Sequence, residues 1–280
     1  MKARFIDVDG VRTRVLFEGA GPPLLLVHGV GVSADIFIRN IDVLAESFTV
    51  YAPDILGHGF TDRASFENEA PQVVAARHLS RVMEQLGATS YSALGSSYGG
   101  LIAALLCFLP QAKVSDLIIV GSGSVFHPPD EQVKTLRAAA ANGSRAYSEA
   151  SIDACRKRLQ NLCYDPQTVP EEILPVQASC YAMPDRLPAY QEAIEGTIAH
   201  MLELETRVFD CLEELTTRTL VITGKQDIRS SVDWTQKGVA RMPNAQLTVL
   251  DECGHLPFLE HPDKFNDLVR SYLLPARDRD

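Results

Sequence analysis

The chain has 280 residues, 46% of them hydrophobic and 22% charged, an ordinary balance for a globular protein and enough length for one large α/β domain with an insertion. Its 26 basic and 36 acidic residues leave a formal net charge of −10. Such a surface repels nucleic acid and anionic membrane, and no basic cluster offsets it. The expected partner is therefore a small-molecule substrate. Met1 to Asp7 hold no apolar segment of signal-peptide length, and apolar stretches such as Pro22 to Val27 are too short to span a bilayer, so a cytoplasmic location is expected.

Strands are predicted at Arg4 to Val8 and Val11 to Glu18, flanking the hairpin dipeptide Asp9-Gly10. Leu24 to Val27 and Phe48 to Ala52 are continuous apolar runs, as in strands buried on both faces. Gln72 to Leu86 carries an apolar stripe of Val73, Ala76, Leu79, Val82, Met83 and Leu86 at helical spacing. Tyr91 to Leu94 is the next strand, then a helix carrying Leu101 to Leu109, then a strand at Asp116 to Val120. From Gly123 to Arg207 strand signals vanish, and helices are predicted at 131–141, 151–162, 171–181 and 189–204. Strands resume at Thr219 to Thr223 and Gln246 to Leu250, and a final amphipathic helix covers Pro262 to Leu273. The alternation implies a mostly parallel sheet with helices on both faces, which binds ligands at the carboxyl ends of its strands. The expected organisation is a core of residues 1–122 and 208–280, interrupted by a helical cap at 123–207.

Ser97 is the informative residue. It sits in Gly95-Ser96-Ser97-Tyr98-Gly99, between the strand Ser92-Ala93-Leu94 and the apolar helix Leu101 to Leu106. A G-x-S-x-G motif in that context forms a strained elbow that lifts the hydroxyl to a helix N-terminus. A serine hydroxyl is a weak nucleophile and needs a base, a group that orients the base, and donors for an oxyanion. His255, in Asp251-Glu252-Cys253-Gly254-His255, follows the last strand and is the candidate base. His78, His127, His200 and His261 are expected to be structural or solvated. Asp227, in Gly224-Lys225-Gln226-Asp227, follows a buried strand and is the candidate acid, with Asp233 the runner-up.

The oxyanion donors are expected to be the backbone N–H groups of Tyr98 and Val30, with Gly31 less favoured. Val30 belongs to the loop His28-Gly29-Val30-Gly31, and Asp54, at another strand end, is expected to brace that loop. The cysteines Cys107, Cys155, Cys163, Cys180, Cys211 and Cys253 form no Cys-x-x-Cys pair, so no metal site is proposed. They are expected to be buried, reduced thiols, with Cys253 the one near chemistry.

Together, His28 to Gly31, Asp54 to Gly59, Gly95 to Gly100, Gly224 to Asp227, Gly254-His255, Pro257, Glu260 and Pro262 resemble the α/β-hydrolase superfamily across almost the whole chain. The resemblance implies an eight-stranded, mostly parallel sheet, a helical cap between strands six and seven, a serine acyl-enzyme mechanism and no cofactor. An exposed cap is also a surface through which a homodimer can form.

Asp54 to Arg63, and the stretch from Arg158 to Leu174, look like the branch that hydrolyses C–C bonds in dienol ring-fission products. That branch carries an arginine shortly after the second stretch and a tryptophan after the catalytic histidine, where this chain has Gln177 and Leu256. The departure favours a neutral ester or lactone over an anionic substrate. C–C hydrolysis is the alternative, with Arg156, Arg158 or Arg186 as replacement clamps; a non-catalytic ligand receptor is a third reading. In the cap, Leu136, Leu159, Leu162, Tyr164, Tyr181, Met183 and Met201 are mainly packing residues, with one or two expected at a hydrophobic pocket.

Overall fold

A computed structural model of the chain describes residues 1–203 and 206–274. Eight strands form one sheet: β1 (Lys2–Val8), β2 (Val11–Glu18), β3 (Pro23–Val27), β4 (Thr49–Pro53), β5 (Tyr91–Ser96), β6 (Val114–Val120), β7 (Arg218–Gly224) and β8 (Ala245–Leu250). Their spatial order is β1-β2-β4-β3-β5-β6-β7-β8. β2 pairs antiparallel with β1 and β4, and every other pairing is parallel.

The apolar runs have the expected physical cause. Along β3, Leu25 and Val27 join one hydrophobic layer while Leu24 and Leu26 join the other, because side chains alternate across a pleated strand. Each fully buried side chain of this kind contributes roughly 1.5–3 kcal/mol. Helices α1 (Ile41–Leu44), α2 (Pro71–Gln85) and α3 (Tyr98–Leu106) precede β6. On α2, Ala76, Leu79, Val82 and Met83 are each fully buried, and they pack with Ile102 of α3 against one sheet face.

Between β6 and β7 lie α4 (Gly123–Phe126), α5 (Pro129–Glu149), α6 (Ile152–Gln160), α7 (Leu174–Tyr181) and α8 (Arg186–Ala199). After β7 come α9 (Val232–Val239), α10 (Pro257–Glu260) and α11 (Pro262–Leu273). The α5 helix is longer than its apolar periodicity predicts. It starts at Pro129, where the missing N–H is no loss, and ends where Ala150 turns left-handed at φ 44°. The expected helix at 171–181 begins instead as a 3-10 turn at Glu171–Ile173. The last insertion helix ends at Ala199, earlier than expected, and Leu204 lies outside the described residues, as do the core residues 275–280. The helix expected over Leu101 to Leu109 starts directly after the elbow and stops at Leu106. No helix among the described residues is long and apolar enough to cross a membrane.

Candidate active site

β5 runs into α3 through Ser97, whose backbone adopts φ 55° and ψ −120°. A non-glycine residue there stores roughly 1–3 kcal/mol of strain, which the surroundings must hold. They do so by hydrogen bonds: Ser97 N–H donates to the Val120 carbonyl at 2.8 Å, and Ser122 Oγ donates to the Ser97 carbonyl at 2.6 Å. The flanking glycines are required by close approach. A Cβ on Gly95 would overlap the Gly99 carbonyl, and one on Gly99 would overlap the carbonyls of Val27 and His28.

Asp227 and His255 are joined. His255 Nδ1 lies 3.0 and 2.9 Å from the two carboxylate oxygens of Asp227, so Nδ1–H donates to the carboxylate and Nε2 is left as the acceptor. The Asp227 side chain is fully buried, and its Oδ1 also accepts the N–H groups of Arg229 at 2.7 Å and Ser230 at 3.1 Å. The histidine loop is fixed at several points. His255 N–H donates to the Leu162 carbonyl at 2.8 Å. Glu260 accepts Gly254 N–H at 2.9 Å and Leu256 N–H on one oxygen, and Tyr164 N–H at 2.6 Å on the other.

Ser97, Tyr98, Val30 and His255 line one cavity of about 50 Å³, together with Leu136, Leu162, Arg158 and Arg229. Ser97, His255 and the two residues expected to supply the backbone donors therefore border the same space. Catalytic hydrogen bonds commonly tighten only when a substrate is seated.

The His28 loop is held from outside. His28 is fully buried; its Nδ1 donates to the Gly29 carbonyl at 2.8 Å, and its Nε2 accepts Ile55 N–H at 3.0 Å. Burial pushes its pKa down, so the ring stays neutral. The Gly31 carbonyl accepts Tyr181 Oη–H at 2.7 Å and Arg158 Nη1–H, and the Val30 carbonyl accepts Arg158 Nη2–H at 3.1 Å. Gly31 sits at φ +76°, and a Cβ there would run into Arg158 and Tyr190. Asp54 braces this region less directly than expected. Its carboxylate accepts Ala34 N–H at 2.7 Å, Phe60 N–H at 2.9 Å and Arg14 Nη1–H at 3.2 Å, and it stays 4.0 Å from the His28 ring. Arg14 in turn forms a two-pronged pair with Asp35, both contacts at 2.7 Å.

Several expectations need adjusting. Arg156 is engaged at the surface by Asp153 and Glu171, and Arg186 is buried without lining the cavity, so Arg158 alone of the three candidate clamps lies beside Ser97. Gln177 donates to Ser33 Oγ at 2.5 Å and does not line the cavity. Cys253 is fully buried with its thiol pKa pushed up by burial, and it does not line the cavity. Cys107, Cys163 and Cys211 are half-buried rather than buried, and all six thiols are free. Of the seven insertion residues considered, Leu136 and Leu162 reach the cavity, while Tyr164 is exposed. Asp233 is exposed in the first turn of α9. His127 accepts Ser231 N–H at 3.0 Å, bonding to the segment after the acid. His78 pairs with Thr13, His200 with Glu203 and His261 with the Glu252 carbonyl. Sequence reasoning missed Arg229, Ser124, Thr135, Ala139 and Asn142 in the cavity wall. For Arg229 a signal existed: it lies two residues after the candidate acid, on the same strand-end loop.

A model of the alpha/beta hydrolase family matches residues 24–268. The chain is similar to the 2-hydroxy-6-oxo-6-phenylhexa-2,4-dienoate hydrolase of Burkholderia cepacia, at 29% identity over 265 residues, covering 91% of this chain and 88% of that one. It is similar to the 2-hydroxymuconate semialdehyde hydrolase of Pseudomonas putida, at 28% over 285 residues, covering 98% and 94%. Among solved structures, a mutant of the meta-cleavage product hydrolase of Pseudomonas fluorescens IP01 superposes with a TM-score of 0.75 at 25% identity, covering 96% of each chain. An epoxide hydrolase reaches a TM-score of 0.77 at 20% identity, covering 97% of this chain and 98% of that one, which shows a shared fold alone. With the eight-stranded sheet, the serine elbow and a family match across most of its length, the chain belongs to the alpha/beta hydrolase family.

Proposed function

We propose that this hydrolase cleaves a C–C bond in a dienol ring-fission acid, with Ser97 as nucleophile, His255 as base and Asp227 as its orienting acid. Residues 123–207 act as the cap over the cavity. The observation that carries the reading is the end-to-end similarity to relatives named as hydrolases of such acids. The sequence alone favoured a neutral ester because Gln177 replaces a guanidinium. That reason loses its force once Arg158 stands in the cavity wall.

The chemistry fits the residues. A C–C bond breaks heterolytically only if the departing carbon can hold the electron pair. Tautomerisation of the dienol to its keto form creates that sink, because the pair is then delocalised into the 2-oxo group. Ser97 Oγ adds to the distal carbonyl while its proton passes to His255 Nε2. The N–H groups of Val30 and Tyr98 stabilise the oxyanion. Collapse breaks the C–C bond and expels the departing fragment, whose carbon gained its proton in the tautomerisation, as a dienolate. Its 2-oxygen takes the proton from His255, which releases the dienol acid and leaves an acyl-serine. Water, deprotonated by His255, then frees the carboxylic acid.

The test supplies 2-hydroxy-6-oxo-6-phenylhexa-2,4-dienoate and follows loss of dienolate absorbance, with benzoate and 2-hydroxypenta-2,4-dienoate as products. The expected result is turnover that falls by about 10⁶ in kcat in Ser97→Ala. Faster hydrolysis of phenyl acetate than of the dienoate by the native chain would instead restore the ester reading.

A further inference from the structure

Isolated buried charges cost several kcal/mol each, so folded chains match them with opposite charges. Arg14 follows that rule, held by Asp35 and Asp54, whereas Arg186, away from the cavity, has only Asp185 at 4.0 Å among the described residues. The cavity wall does not follow it. Arg158 is only 5% exposed. Its Nη atoms meet two carbonyls and the Tyr181 hydroxyl, none of them charged, and its Nε is buried without a partner. Arg229 is half-buried, its Nε is likewise unpartnered, and its side chain makes no hydrogen bond or ion pair with a described residue. Asp227, the acid on the same loop, has its oxygens on His255 and on the N–H groups of Arg229 and Ser230.

The two guanidiniums feel one another. The pKa of Arg229 is pushed down, first by burial and then by the charge of Arg158, against the opposing influence of Tyr190 and Asp227. One comes from α6 of the insertion and the other from the loop behind β7, and both line the cavity that contains Ser97 and His255.

We propose that Arg158 and Arg229 form a carboxylate subsite beside the nucleophile, taking the acid group of the substrate. The unengaged guanidinium of Arg229 offers a planar fork of donors that matches a carboxylate, Arg158 adds a second positive charge beside it, and an anion between them removes the mismatch of charge in the wall. The identity of the acid as a ring-fission product rests on the function proposed above; the subsite itself does not.

The experiment compares native chain, Arg229→Gln, Arg229→Lys and Arg158→Gln. It reads two quantities: the ratio of kcat/KM for the phenylhexadienoate to kcat/KM for phenyl acetate, and the Kd of benzoate by calorimetry. With a charged hydrogen bond lost, the ratio should fall about 10- to 100-fold in each glutamine variant, mainly through KM, and benzoate should weaken by a similar factor. Arg229→Lys should recover part of both. A uniform fall in both substrates with unchanged benzoate binding would overturn the subsite, as would a native chain that does not bind benzoate. If the native chain binds benzoate through these arginines yet leaves the dienoate intact, the C–C reading fails and the subsite stands. If Arg229→Gln does not fold, the lysine variant and Arg158→Gln still decide.

Discussion

Two histidine–aspartate pairs stand at the carboxyl rim of the same sheet, and they are built differently. His28 follows β3 and Asp54 follows β4; Asp227 follows β7 and His255 follows β8. The first pair is 4.0 Å apart, and both ring nitrogens of His28 are occupied by backbone groups. The second is in direct contact at 2.9 Å through Nδ1, and its ring lines a cavity. Residue type and strand-end position are shared. What differs is the second nitrogen: an imidazole whose two nitrogens are both satisfied by the fold is a strut, and one with a nitrogen left over can carry a proton.

The comparison breaks if the two aspartates prove interchangeable in effect. Asp227→Asn should lower kcat by about 10⁴ by favouring the wrong tautomer, with little change in denaturant midpoint. Asp54→Asn should instead cost about 1–3 kcal/mol of stability, because the N–H groups of Ala34 and Phe60 and the Arg14 guanidinium lose a charged acceptor while Arg14 keeps its pair with Asp35. Paired urea melts and kinetics on the folded fraction measure both.

Acid sharpens the contrast. His28 and the fully buried His58 have pKa values pushed down by burial, His58 to about 3, against 6.5 when unfolded. The unfolded chain therefore binds more protons below 6.5, so stability rises with pH across that window. The stabilisation is complete above pH 6.5 and is lost progressively as pH falls towards 3. The paired carboxylate Asp35 is also held below its ordinary value, so its loss begins only at lower pH. Thermal melts at pH 7.5, 5.5 and 4.5 should show a falling Tm, with a shallower fall in His28→Gln. A flat profile would mean that these rings are not kept neutral.

The smallest effect concerns the His28 loop itself. Tyr181→Phe removes one donor from the Gly31 carbonyl and one contact of Arg158, which keeps its own bond to that carbonyl. A neutral hydrogen bond is worth about 0.5–1.5 kcal/mol, so kcat should fall about 2- to 10-fold with KM nearly constant. A larger change in KM than in kcat would show that Tyr181 acts on substrate rather than on the loop.

Much of this was legible because buried parallel strands are written as short continuous apolar runs, and the chemistry follows their ends. Ser97, Asp227 and His255 each stand just past such a run. The insertion was harder. Its helices are amphipathic, but periodicity does not say which turn of a helix points inward, so Arg158 could not be separated from Arg156 until α6 was placed. Arg186 shows the same limit: weighed as a replacement clamp, it is 1% exposed yet does not line the cavity. Arg229 escaped notice because attention to the loop stopped at its carboxylate. Gln177 misled, since the absence of one cation at one position says nothing about cations arriving from other elements.

Glu260 has a consequence for traffic into the pocket. By gripping Gly254, Leu256 and Tyr164 together, with Leu162 bonded to His255, it pins the 162–164 segment to the base. That stretch cannot swing aside for an incoming molecule without dragging the imidazole out of register. Movement of this part of the insertion and the alignment of the His255 ring are therefore mechanically coupled.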